Sequence, residues 1–437
     1  MHALISASRI AHHALGACAL MAALLGGASA QAQSANHVTL YGLVDLGLNT
    51  VSGLASNSGV NLASGVMEGS RWGLRGNEDM GAGYRTVFTL ESRFEADNGI
   101  LGNRPVSGLQ LPDRLAQASL LGFSRTSPLY PTYQALVTGV GSGISDKTLG
   151  VNLAGRLFDR QAFVGLVTPF GGILAGRQYT PAYEALATFD VMHTQSSLSP
   201  GQLISVPFGV DIRVSNALAY RIEQGAFSAS LMLAPGELPG GSARGRMWGA
   251  NGFYKGSGFS VGFGYNTRNN ELGPRALTTA LVGLSKQVGP GEIIASYTRI
   301  EDHNPADLST IAADLARAQP TLPAAIAGAV QSAFIDGLRQ ESNLFHLGYR
   351  FATGPGTLML SYSLLNDKRI ANSDASSYGV AYSYPMSKRT DLYGVLARFR
   401  NSNLSQIAPG GGGFLGGVTS SAGVDSTNTA VGLRHTF

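Results

Sequence analysis

An alternation of apolar residues with small or polar ones constrains the fold of this chain more than any other feature of its sequence. Residues 377–384 read SYGVAYSY and residues 259–266 read FSVGFGYN, and similar stretches of about ten residues recur between clusters of Gly, Pro, Asn and Asp. A period of two places every second side chain on the same face of a β-strand. The sequence therefore predicts an all-β fold whose strands have one apolar face.

The alternation predicts sixteen strands. They lie at residues 38–50, 67–78, 83–95, 156–168, 172–180, 212–223, 226–234, 244–255, 258–268, 276–287, 291–301, 342–352, 357–367, 376–385, 389–400 and 427–437. Bacterial single-chain membrane barrels have an even number of antiparallel strands, and a barrel of this size encloses an aqueous channel.

Three properties favour a barrel in a lipid bilayer over a soluble β-sandwich. Only 13% of the residues are charged, whereas soluble domains carry about 25%. Aromatic residues such as Trp72, Tyr220 and Trp248 lie near strand ends, as in the girdles of membrane barrels. Tight connections such as residues 289–291 alternate with long ones. The sequence therefore predicts a transmembrane antiparallel β-barrel with short periplasmic turns and long external loops.

The N-terminus has the organisation of a secretory signal, in which a basic residue and an apolar stretch precede several small residues. We expect a signal peptide at residues 1–32, with cleavage after Ala30 or Ala32, and a barrel at residues 33–437. Cys18 is the single cysteine and lies in this leader. The exported part would then contain neither a disulfide nor a thiolate metal site.

Many arginines share strand parity with the polar residues. Arg71 and Arg75, for example, alternate with Trp72 and Leu74. A guanidinium on the lipid face costs about 2–4 kcal/mol near the bilayer midplane, so we expect these side chains to point into the lumen. The lumenal candidates are Arg71, Arg75, Arg93, Arg160, Arg177, Arg213 and Arg221. An open alternative is that these arginines pair with lumenal acids such as Glu91 or Asp159.

Several segments carry a more specific signal. They are residues 38–45 (VTLYGLVD), 70–81 (SRWGLRGNEDMG), 88–92 (FTLES), 160–166 (RQAFVGL), 176–181 (GRQYTP) and 432–437 (GLRHTF). Together they resemble the Gram-negative general porins of the beta-proteobacterial branch. The resemblance implies a homotrimer of sixteen-stranded barrels in the outer membrane, through which small hydrophilic solutes and ions diffuse passively. It also implies that the C-terminal Phe437 is recognised by the barrel-assembly machinery.

The same resemblance implies a constriction, because the third external loop of these porins folds into the lumen. In this chain that loop would run from Pro181 to about Gly209, and it contains the acids Glu184 and Asp190. By motif, the basic wall that faces the loop would consist of Arg71, Arg160 and Arg213. Such a wall predicts a weak preference for anions.

Two external connections are longer than a simple porin needs. Residues 96–155 lack strong periodicity, and the resemblance would make them the second loop, which contacts a neighbouring subunit. Residues 302–340 predict two short helices, at 305–318 and 323–338, each with a proline near its start. These helices are expected to form an external cap over the mouth of the barrel.

The sequence offers little for other functional classes. Residues 411–416 match a G-x-G-x-x-G spacing but lack the strand-to-helix context of a nucleotide site. Histidines are scattered, so no cofactor, metal or catalytic site is predicted, and the formal net charge of +4 gives no basis for nucleic-acid binding. Two alternatives to the channel stay open: an outer-membrane barrel hydrolase, for which His303 beside Asp302 is an approximate match, and a loop-presenting adhesin on a plugged barrel.

Overall fold

The structure is a computed structural model that describes residues 36–55, 59–193, 196–412 and 415–437. The predicted signal peptide at residues 1–32 lies outside these ranges. Within them the strands are β1 His37–Val51, β2 Val60–Ser64, β3 Arg71–Gly81, β4 Tyr84–Arg93, β5 Gln161–Thr168, β6 Gly171–Tyr179, β7 Arg213–Gln224, β8 Phe227–Ala234, β9 Met247–Gly256, β10 Phe259–Asn269, β11 Arg275–Val288, β12 Gly291–Asp302, β13 Gln340–Thr353, β14 Gly356–Asp367, β15 Ala375–Pro385, β16 Thr390–Asn401, β17 Ile407–Gly412, β18 Leu415–Val418 and β19 Ser426–Thr436.

The antiparallel sheet closes on itself at β1. This strand pairs with β19 on one side, and on the other side with β3 through residues 37–43 and with β2 through residues 46–50. Because β2 and β3 continue one another, they form a single course of the barrel, and β17 and β18 form a separate hairpin. The described strands therefore make the sixteen-stranded barrel that the alternation predicts.

The break between β2 and β3 has a local cause. Asp45, which is fully buried on β1, accepts hydrogen bonds from the backbone N–H groups of Met67 (3.0 Å) and Glu68 (2.7 Å). Gly65 has a φ of +71°, which favours glycine. The chain therefore bends at residues 65–70, and β3 begins at Arg71 rather than at residue 67 as predicted.

The two faces of the sheet differ as the alternation predicts. On β13, Leu344 and His346 are 1% and 3% exposed, whereas Phe345 and Leu347 are 45% and 54% exposed. In a membrane barrel the exposed apolar side chains form the lipid face. The side chains between them, most of which are polar or small, point inward, which places the lumenal arginines on the wall of the channel.

The helices lie in the connections. They are α1 Tyr130–Thr148, α2 Pro181–Thr188, α3 Ile311–Ala318 and α4 Ala324–Leu338. The sequence reading did not find α1, which contains three glycines that disfavour a helix. The sequence predicts the helix at 305–318, whereas α3 begins at Ile311. Asp307 has a φ of +64° and cannot be part of a helix. Among the described helices, none is sufficiently long and apolar to cross a membrane.

The two long external connections pack against each other to form a cap. Leu115 and Val137, from the connection between β4 and β5, lie in one apolar cluster with Val330 and Phe334 of α4. Arg114 donates a hydrogen bond to the carbonyl of Gly337 (2.8 Å) and ties the same two connections together. Residues 96–155 and 302–340 are therefore one structural unit, held by an apolar core of its own.

Candidate functional site: the channel wall and the third loop

The connection between β6 and β7 folds inward, as predicted for the third loop. Its helix α2 starts after Thr180, whose hydroxyl oxygen accepts the N–H of Tyr183 (3.4 Å). The side chain of Asn266 on β10 donates to that hydroxyl (2.7 Å) and accepts the N–H of Ala182 (3.0 Å). These bonds anchor the start of the loop on the inner face of the barrel.

Inward-facing glycines make room for the loop along β10 to β15. A Cβ at Gly283 would lie 2.3 Å from the ring of Phe189, closer than real Cβ atoms approach other atoms. The corresponding pairs are Gly264 with Ala185, Gly283 with Phe189, Gly348 with Val191 and Gly379 with Leu198. Side chains at these positions would hold the loop away from the wall. The glycines therefore place the third loop against one side of the barrel.

The opposite side of the barrel carries the three arginines predicted for the basic wall, and the structure brings them together. Arg160 Nε lies 2.7 Å from a carboxylate oxygen of Glu91, and Arg71 Nε lies 3.6 Å from the other oxygen. Arg160 and Arg213 both donate to the hydroxyl of Tyr179, at 2.8 and 3.0 Å. Arg213 also stacks over the ring of Tyr179 at 4.6 Å.

The wall extends toward β19 and β1. Glu68, which the bend after β2 carries into the lumen, pairs with Arg71 (2.5 Å) and with Arg434 (3.0 Å). Arg434 also pairs with Asp391 (2.9 Å), and Arg75 lies 4.6 Å above the ring of Tyr41. We refer to Arg71, Arg75, Arg160, Arg213 and Arg434 with Glu68, Glu91 and Asp391 as the basic wall. Its five guanidinium groups and three carboxylates give a formal charge of +2.

Three other predicted arginines have different surroundings. Arg93 pairs with Glu95 (3.1 Å) and Asp159 (3.7 Å). Arg177 donates to the backbone carbonyl of Asp159 (2.5 Å) and to the hydroxyl of Ser215 (2.9 Å). Arg221 pairs with the third-loop acid Glu184 (2.7 Å). Glu91 and Asp159 thus pair with arginines, as the alternative predicts.

The two predicted third-loop acids do not contact the basic wall. Glu184 accepts a hydrogen bond from the side chain of Asn251 (2.8 Å) in addition to its pair with Arg221. Asp190 is 2% exposed, and its carboxylate accepts the N–H of Met192 (2.9 Å) within the loop. Burial raises the pKa of Asp190 to about 7 in spite of this hydrogen bond.

Sequence reasoning missed Glu68, Tyr179 and Arg434 as members of the site. Arg434 and Tyr179 lie in segments that carry the porin resemblance, and Arg434 has the polar parity of β19, so both could have been nominated. Glu68 could not have been predicted from the sequence, because its position depends on the bend that Asp45 stabilises.

Comparisons with known proteins agree with this architecture. A sequence profile of the Gram-negative porin family matches residues 17–404. The chain belongs to this family. An outer membrane porin protein of Bordetella pertussis is 33% identical over 156 residues, which is 31% of this chain and 40% of that protein. Outer membrane porin protein 32 of Delftia acidovorans is 26% identical over 96% of this chain and 99% of its own length.

Solved structures share the fold of this porin. The anion-selective porin from Comamonas acidovorans has a TM-score of 0.65 and 24% identity, and the alignment covers 92% of this chain and all of that one. OmpT of Vibrio cholerae in a trimer form has a TM-score of 0.54 and 12% identity, with 92% and 100% coverage. The predicted outer-membrane channel is confirmed, and the hydrolase and adhesin alternatives find no support.

Proposed function

We propose that this porin is a weakly anion-selective diffusion channel and that the basic wall sets its preference. The formal charge of +2 on that wall carries the proposal. Guanidinium groups stay protonated at any physiological pH, so this charge is permanent. A low-dielectric wall focuses its field into the water-filled lumen and raises the local concentration of anions. The description of the Comamonas porin as anion-selective supports the same preference.

The carboxylates of the basic wall have a positioning role in this proposal. Glu91 and Glu68 each contact two arginines, so one acid fixes two guanidinium groups in the channel and leaves a surplus of positive charge. Glu184 and Asp190 remain the candidate acids of the third loop. Their contacts support a role in holding the loop in place rather than in supplying negative charge across the channel.

The test is the combined replacement of Arg71, Arg160 and Arg213 by glutamine. We expect the zero-current potential in a potassium chloride gradient to move away from the chloride equilibrium potential. A matched control replaces three exposed arginines that lie outside the wall, Arg125, Arg317 and Arg389, and makes the same change in net charge. Equal potentials for the two triple variants would show that overall charge, and not the basic wall, sets the preference.

We further propose a homotrimer that is exported with a leader cleaved after Ala30 or Ala32 and assembled through Phe437. The trimer form of the Vibrio OmpT supports the oligomer. Phe437 lies beside Gly42, with which it exchanges two backbone hydrogen bonds of 3.1 Å, and the residue is 44% exposed. Replacement of Phe437 by alanine should therefore lower the amount of porin that assembles in cells. The amount of heat-resistant trimer on gels measures this assembly.

A further inference from the structure

A cavity of about 1050 Å³ lies between the cap and the third loop. Its lining includes α1 and α3 of the cap, residues 205–208 and 210–212 of the connection between β6 and β7, and the outer ends of β6, β7, β10 and β12. Ligand sites in proteins have volumes of about 300–1,000 Å³ and combine apolar walls with a few polar groups. This cavity has the size and the mixed lining of a binding site.

One side of the cavity is apolar. Leu136, Val140 and Ile144 line it from α1, at a spacing of four residues that puts them on the same helix face. Ile311 lines it from α3, and Phe208 lines it from the third loop. Apolar surface of this kind favours ligands that have an aliphatic or aromatic body.

Two arginines line another side of the cavity. Arg213 begins β7 and belongs to the basic wall, and Arg177 on β6 donates to the hydroxyl of Ser215, two residues further along β7. Among the described residues, neither guanidinium has a carboxylate within ion-pair distance. Two neighbouring cations without an acidic partner form a receptor for an oxyanion.

Six acids also line the cavity, and three of them form ion pairs. Asp159 pairs with Arg93 (3.7 Å), and Asp211 pairs with Arg268 (3.4 Å). Glu271 accepts the backbone N–H groups of residues 307 and 309, and Asp314 pairs with Arg317 (3.0 Å). Among the described residues, the lining acids without an ion pair are Glu271, Asp302 and Asp307, and they lie on the side of β10 to β12. On the side of β5 to β7, the lining charges without an ion pair are the cations Arg156, Arg177 and Arg213, so positive charge prevails there.

We propose that this cavity is a docking site for amphipathic organic anions. The carboxylate of the ligand binds Arg177 and Arg213, and its apolar body packs against Leu136, Val140 and Ile144. Because Arg213 belongs to both the cavity and the basic wall, an anion that docks here is delivered at the entrance of the constriction. The inference rests on the proposed anion-selective channel and names a class of solute for it.

Binding is measured first, by equilibrium dialysis of labelled benzoate against the purified full-length protein in detergent. We expect saturable binding, with a dissociation constant at least about tenfold lower than that of acetate, since one well-buried apolar group contributes about a factor of ten. Benzylammonium, which has a similar ring and the opposite charge, should not compete. Equal binding of benzoate and acetate, or competition by benzylammonium, would overturn the proposal.

Variants of the cap locate the site. Leu136→Asn and Val140→Asn should each weaken benzoate binding about tenfold and leave the chloride preference unchanged. Leu120→Asn is the matched control, because Leu120 is an exposed leucine of the same connection and does not line the cavity. Limited proteolysis shows whether each variant keeps its cap. If a cap variant unfolds, benzoate binding is measured in Arg177→Gln instead. Unchanged binding in Arg177→Gln contradicts the proposal.

The inference and the proposed function fail in different measurements. If the channel prefers cations while benzoate still binds saturably, the proposed selectivity is wrong and the docking site stands. If the channel prefers chloride while benzoate does not bind saturably, the docking site is wrong and the selectivity stands.

Discussion

Replacement of Gly283 by alanine tests how the third loop is held inside the barrel. The added Cβ would lie 2.3 Å from Cγ and Cδ2 of Phe189 and 2.7 Å from its Cβ. These atoms are close to the backbone of the loop, so a rotation of the ring alone does not relieve the contact. The loop must move away from β11, or the strand must shift.

The magnitude follows from the cost of overpacking. An extra carbon forced into a well-packed interior costs about 1–3 kcal/mol. We therefore expect Gly283→Ala to lower the free energy of unfolding by about 1–3 kcal/mol. The displaced loop should also increase the current noise of single channels, because the loop borders the lumen.

The assay is urea unfolding of the refolded porin in lipid vesicles, with single-channel recording of the same preparations. Gly394→Ala is the matched control, since its new Cβ would meet, among the described residues, only the carbonyl oxygen of Ala430, at 3.9 Å. In a double-mutant cycle, Phe189→Ala should reduce the cost of Gly283→Ala, because it removes Cγ and Cδ2 and leaves only the Cβ at 2.7 Å. Equal stability of Gly283→Ala and Gly394→Ala, or additive effects in the cycle, would refute this account of loop docking.

Three further predictions concern the wall, the loop and the cap. Glu91→Gln should strengthen the anion preference, because it removes a carboxylate that pairs with Arg71 and Arg160. A zero-current potential that moves toward the potassium equilibrium potential would contradict this. Asp190 has a raised pKa of about 7 when folded, so the folded protein retains this proton above its ordinary pKa of 3.8. This group should therefore lower the free energy of unfolding by at most about 4 kcal/mol as the pH rises from about 4 to 7. Asp190→Asn should remove that contribution, which urea titrations of both proteins at each pH would show. Phe334→Ala should lower the stability of the cap by about 3–5 kcal/mol and make the cap sensitive to protease, without changing the heat resistance of the barrel. Undiminished protease resistance would contradict the claim that Phe334 holds the apolar core of the cap.

The barrel could be predicted from sequence because strand parity is local. Each lipid-facing strand repeats the same alternation, so β13 and β15 can be recognised without knowing their neighbours. The arginine positions follow from the same rule, since a charge on the lipid face is costly. These inferences need no information about contacts between distant segments.

The cap and the ion pairs depend on such distant contacts. Helix α1 has three glycines and a weak apolar stripe, and packing against α4 stabilises it more than its own propensity does. Glu68 reaches Arg434 only because Asp45 bends the chain after β2. The burial of Asp190 likewise depends on how the whole third loop lies in the lumen.

The sign of the zero-current potential of the wild-type channel tests the central claim most directly. The measurement uses a planar bilayer with a tenfold gradient of potassium chloride at low total salt, where screening is weak. The basic wall predicts a potential displaced toward the chloride equilibrium value. A potential displaced toward the potassium value would contradict it.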